Sequence, residues 1–108
     1  MKKILLTIGL LVAFAGAASA AEAKDNWAKH CVSCHGKDGK GQTTMGRKAG
    51  AKDYTDARTW EGFDDAKAIK SVKEGMKEGD KEKMKPFADK LTDDEIKALI
   101  AYLRTFKK

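Results

Sequence analysis

Two cysteines three positions apart stand directly before a histidine in the run Cys31-Val32-Ser33-Cys34-His35. On a helical turn, residues three apart lie on one face. Both thiols then reach the two vinyl groups along one edge of a porphyrin and form thioether bonds, and the next residue turns its imidazole inward to the iron. A C-x-x-C-H run reads as a c-type haem attachment site, with Cys31 and Cys34 holding the ring and His35 the metal. No other feature constrains the fold as much, because the chain must wrap a flat apolar group. The tether leaves one axial position open, so a second ligand is expected downstream.

The chain begins Met1-Lys2-Lys3, runs apolar from Ile4 to Ala18 and ends that run with Ala18-Ser19-Ala20. A basic start, a short apolar stretch and a small-residue exit make a secretory signal peptide, expected to be cleaved after Ala20. The run is short for a spanning helix of about 20 residues, and no later stretch is long and apolar enough to span a bilayer. The mature protein would be one domain, residues 21–108, exported to the periplasm. Losing Lys2 and Lys3 takes the formal charge from +6 to +4. That mild basicity suits an acidic docking surface on a partner; nucleic-acid binding would call for a denser basic stripe interleaved with aromatics.

The apolar content is thin. After Ala20 the only Leu, Ile, Val and Phe residues are Val32, Phe63, Ile69, Val72, Phe87, Leu91, Ile96, Leu99, Ile100, Leu103 and Phe106. Eleven in 88 residues lies below the roughly 20% at which charged chains tend to stay disordered. The C-terminal pattern is nevertheless that of a packed helix, so a group outside the polypeptide has to complete the core. Burying a few hundred Å² of porphyrin at about 25 cal/mol per Å² contributes on the order of 10 kcal/mol, comparable to a whole domain's stability.

Residues Glu22 to His35 contain no Gly or Pro and read as a first helix carrying the Cys-Cys-His turn, with Gly36 as its stop. Gly36 to Gly50 reads as a glycine-rich loop; it lacks the spacing of a phosphate cradle and no strand precedes it. Ala66, Ile69 and Val72 predict a second helix from Asp64 to Glu74, capped by Asp64 or Asp65 and ended by Gly75. Met76 to Lys90, dense in charge and holding the single proline, Pro86, reads as a loop. Thr92-Asp93-Asp94-Glu95 is a capping box that opens the last helix, whose apolar stripe is Ile96, Leu99, Ile100, Leu103 and Phe106. No alternating strand pattern is visible. The expected fold is all-α, with three main helices and long loops around one haem.

Candidates for the open iron position are Met45, Met76, Met84 and His30. His30 directly precedes Cys31 and cannot reach the opposite haem face. Met76 follows the stop of the second helix closely, and Met45 lies in the glycine loop. Met84 is followed by Lys85-Pro86-Phe87 and soon by the cap Thr92, so it sits on a stiffened, anchored loop. The residues favour Met84 and leave Met76 and Met45 as alternatives.

Taken together, Cys31 to His35, the glycine-rich loop, Met84-Lys85-Pro86-Phe87 and Thr92 to Leu103 resemble a small bacterial class I c-type cytochrome. The resemblance covers essentially all of residues 21–108. It implies the cytochrome c fold, one covalent haem c on Cys31 and Cys34, His35 and Met84 as axial iron ligands, and a monomeric periplasmic electron carrier. It further implies that Trp27 packs on the last helix near Tyr102 and that Tyr54 or Trp60 lies near a propionate. Two departures stand out. Lys85 separates Met84 from Pro86, where many relatives place Pro directly after the ligand. Gly36 to Gly41 also offers no proline carbonyl to the His35 ring N–H.

With both axial positions filled, iron has no vacancy for a substrate and the centre only cycles between Fe(III) and Fe(II), so no enzyme activity is expected. His/Met ligation raises the reduction potential. Lys37, Lys40 and Lys85 are candidates to ring the haem edge and steer redox partners. A rival reading is an open-iron haem protein. Four-helix c-type bundles of that kind, however, carry C-x-x-C-H near the C-terminus. A zinc or thiol-redox module is the third reading, but Cys31, Cys34, His30 and His35 are too crowded to close one tetrahedron.

Overall fold

In the computed structural model, which describes residues 20–108, the chain runs through α1 (Ala20–His30), α2 (Val32–His35), α3 (Thr44–Ala49) and a 3-10 turn (Ala57–Trp60). It continues through α4 (Asp65–Glu74), β1 (Met76–Glu78), β2 (Lys81–Met84) and α5 (Asp93–Arg104). The predicted signal peptide lies outside the described residues except for Ala20, the first residue of α1. Among the described residues no helix is long and apolar enough to cross a membrane.

α5 forms where its box predicts. The Thr92 hydroxyl accepts from the Glu95 N–H at 3.1 Å and the Glu95 carboxylate accepts from the Thr92 N–H at 2.9 Å, so two otherwise unpaired backbone donors are satisfied reciprocally. Ile96, Leu99, Ile100 and Leu103 are all buried. Each such side chain contributes about 2 kcal/mol by leaving water. The stripe is the spine of the core, and α5 packs against both α1 and α4.

Ion pairs fix α4 antiparallel to α5. Asp65, at the start of α4, meets Arg104 at the end of α5; Lys73, near the end of α4, meets Asp93 at the start of α5 at 3.0 Å. These groups are substantially exposed, so each pair is worth well under about 1 kcal/mol and sets direction more than stability. The Arg104 guanidinium also lies over the rings of Trp60 and Phe63, 5.3 and 5.2 Å from their centroids, which ties the 3-10 turn to α5. On the other side, the Asn26 amide of α1 donates to Glu95 at 3.2 Å.

Three segments differ from the sequence expectations. The helix expected from Glu22 to His35 is interrupted at Cys31, although the Cys31 N–H still donates to the Trp27 carbonyl at 2.9 Å. The hydrogen-bonded path therefore continues into the turn. The glycine loop contains a short helix, α3, capped at Thr43, whose hydroxyl accepts from the Gly46 N–H at 2.8 Å; abundant glycine hid it. The charged segment expected to be a loop forms an antiparallel hairpin with Met76↔Met84, Lys77↔Glu82 and Glu78↔Lys81 as partners. Its strands are short, mostly exposed and rich in Lys and Glu, so no apolar alternation advertises them. The molecule remains mostly helical, as expected, with this one small sheet added.

Candidate haem site

The Cys-Cys-His turn is fixed by what happens to its carbonyls. A helix end leaves its last carbonyls without intrahelical partners. Here the Thr43 hydroxyl donates to the Cys34 carbonyl at 2.8 Å, the Gly41 N–H to the His35 carbonyl at 2.9 Å and the Trp27 indole N–H to the Gly36 carbonyl at 3.1 Å. Gly46 permits the close approach, since a Cβ there would collide with the Cys34 carbonyl. Gly36 leaves the helix at φ +79, a conformation open to glycine. The glycine loop thus clamps the turn from behind. Sequence reasoning missed Thr43 and read Gly46 only as one of the loop glycines; the available signal was a Thr three residues before a Gly, a helix-cap spacing.

Cys31 is buried and Cys34 partly so, and both are free thiols. Burial, with a smaller contribution from the neighbouring Cys34, pushes the Cys31 thiol up to about 12. The pocket therefore favours uncharged sulfur, which suits a thioether better than a thiolate ligand. His35 is flanked by the rings of Trp27 at 5.5 Å and Tyr54 at 6.0 Å. Burial lowers its pKa and keeps the imidazole neutral, the form that ligates metal. Its Nδ1 is buried with no hydrogen-bond partner. Among the described residues no three His, Cys, Asp or Glu side chains converge to hold a bare metal ion.

The three methionine candidates separate clearly. Met45 and Met76 are 55% and 50% exposed. Met84 is half-buried and packs against the core cluster that includes Cys31, Trp27, Phe87 and Leu99. Its segment is strapped to the last turn of α4. The Phe87 N–H donates to the Val72 carbonyl at 2.9 Å and the Ala88 N–H to the Lys73 carbonyl at 3.2 Å, while Met84 pairs with Met76 across the hairpin. Gly75 turns between them at φ +77, and a Cβ there would lie 2.5 Å from the Met84 carbonyl. His30 does not join the site; its ring meets the edge of Phe87 at 5.6 Å.

Two thiols on one turn, a histidine directly after them and a thioether packed against the cluster that includes Cys31 are groups of the kind that could hold a haem. A family model described as cytochrome c oxidase, cbb3-type, subunit III, matches residues 18–103. The chain belongs to the c-type cytochromes. The solved structure of KustC0563, a c-type cytochrome, is 37% identical, covers 80% of this chain and 98% of its own, and superposes with a TM-score of 0.70. A tyrosine-to-phenylalanine mutant of Kustc0563 is 36% identical over 80% of this chain and 99% of that one, with a TM-score of 0.69. No curated protein matches the chain in sequence. The cytochrome accordingly binds haem, transfers electrons and has redox partners. Within it, Trp27 packs on α5 as expected, its ring 5.9 Å from Tyr102 and 5.2 Å from Phe106.

Proposed function

We propose that this cytochrome is a periplasmic, monomeric shuttle carrying a single haem c, attached through Cys31 and Cys34 and ligated by His35 and Met84. The haem supplies a one-electron Fe(III)/Fe(II) couple. The chain supplies everything that tunes and protects that couple. Cys31 and Cys34 fix the ring, the loop from Gly36 to Gly46 holds the backbone of the Cys34–His35 turn, and the α4 strap presents Met84. A soft thioether favours the reduced metal and raises the potential. Tyr54 and Trp60 form one wall beside His35, with the Trp60 indole donating to the Tyr54 carbonyl at 2.8 Å; a propionate would find its neighbours there. The basic start and small-residue exit of residues 1–20 carry the export reading, and Lys37 and Lys85, both exposed, would face an acidic partner.

The single observation behind the ligand set is the packing of Met84, alone among the three methionine candidates, against the cluster that contains Cys31. Met84→His in the holoprotein tests it. The expected outcome is loss of the red-region sulfur-to-iron charge-transfer band of the oxidised protein together with a lowered potential, because imidazole replaces the thioether. Survival of that band would remove Met84 from the ligand set.

A further inference from the structure

Met76 and Met84 are register partners at the base of the β1–β2 hairpin, and the ladder is irregular immediately beyond them, between Met76 and Lys77. Directly opposed residues of an antiparallel pair project to the same face with Cβ atoms about 5 Å apart. The two thioether side chains therefore lie side by side, on the face that Met84 turns toward the core. Their exposures differ. Met84 is half-buried against the Cys31 cluster, whereas Met76 is 50% exposed. Met76 is thus the more exposed member of the pair, next to Met84 on the same face.

The backbone by itself holds Met84 weakly on that side. The irregularity ends the regular ladder one rung away, β1 is exposed along its whole length, and the firmer strap, Phe87 to Val72, lies three residues further on. Local twisting at a bulge would let a lone Met84 side chain swing outward unless a neighbour filled the space beside it. A flexible, unbranched thioether fills irregular gaps well. The other partners in β1, Lys77 and Glu78, are charged and give no such contact.

We infer that Met76 is a positioning residue for Met84: it packs beside the Met84 thioether, keeps it on the core side of the hairpin and bars small ligands from taking its place. The inference rests on Met84 as the second iron ligand.

The test uses oxidised holoprotein titrated with imidazole, following the loss of the red-region band as imidazole displaces the thioether. Met76→Ala and Met76→Gln, which remove or polarise the contact, should bind imidazole about tenfold more tightly than the parent. Met76→Leu, which keeps an apolar side chain of similar size, should restore the parent affinity. All three should show the band before imidazole is added and should melt close to the parent temperature. Parental affinity in the Ala and Gln variants would overturn the inference, as would a Leu variant as easily displaced as Ala. Retention of the resting band in Met84→His would instead overturn the ligand assignment, and the inference with it, as would loss of the resting band in Met76→Leu as well as in Met76→Ala, which would make Met76 itself the ligand.

Discussion

Gly75 connects the end of α4 to the Met84 segment through a backbone that only glycine adopts comfortably. At φ +77 and ψ −179 it lies in a region costing other residues about 1–3 kcal/mol. An added Cβ would also press on the Met84 carbonyl at 2.5 Å and the Pro86 nitrogen at 2.9 Å. Gly75→Ala is therefore expected to destabilise the holoprotein by about 2 kcal/mol or more, and to weaken the red-region band because the displaced backbone is that of Met84, the proposed ligand. Chemical denaturation and the oxidised spectrum, recorded on the same sample, check both halves. Sequence reading identified Gly75 as a helix stop. It had no means of showing that the stop also leaves room for the Met84 carbonyl, since that approach is made only when the hairpin folds back.

At the scale of elements, α5 is the one helix whose start and buried stripe from Ile96 to Leu103 were legible beforehand; Phe106, expected in that stripe, lies beyond the helix end at Arg104 and is half-buried. Its cap is local, and local chemistry can be read from four consecutive residues. The Glu95 carboxyl is held below its ordinary range, first by the Thr92 N–H and then by the Asn26 amide. A depressed carboxyl stabilises the fold above its unfolded pKa, about 4.3, and the contribution is lost as pH falls through the lower folded value. Melting temperatures of the parent and Glu95→Gln should accordingly differ near neutral pH and converge in acid. Thr92→Ala should cost about 1 kcal/mol at neutral pH, read by denaturant titration. The hairpin was illegible for the opposite reason. Its strands carry Lys, Glu and two methionines with no alternating apolar face, so pairing is set by α4, Gly75 and the Phe87 strap rather than by the strands' own pattern. α3 was hidden in the same way, its cap being a hydroxyl whose importance appears only when it also donates to the Cys34 carbonyl.

The whole molecule is a thin core built around α5, with Trp27, Trp60, Phe87 and Leu91 completing a cluster in which Cys31 is itself a member. So few large apolar residues leave the haem to supply the rest of the buried surface, on the order of 10 kcal/mol by area. Cys31→Ala/Cys34→Ala protein, exported and purified without haem, is expected to be largely unfolded; circular dichroism with a thermal scan checks it, and a cooperative native-like melt would contradict it. Association with an acidic redox partner should slow as salt rises, since exposed charges such as Lys37 and Lys85 are screened over about 10 Å at 0.1 M. Stopped-flow transfer rates across an ionic-strength series measure this directly.

The sequence by itself set out the Cys31–His35 turn proposed to hold the haem, the helix that anchors the core and the short list of methionines proposed for the second axial position. Each of these is written in spacing, and spacing survives without a fold. What only the tertiary structure decided is which side chains stand behind that chemistry: the Thr43 and Gly41 donors on the carbonyls of Cys34 and His35, the α4 strap on the Met84 segment and the Met76–Met84 pairing. Apart from the Thr43 hydroxyl, those contacts run through backbone groups that every residue possesses, between positions in different elements or loops. Residue identity carries no trace of them until the chain has closed.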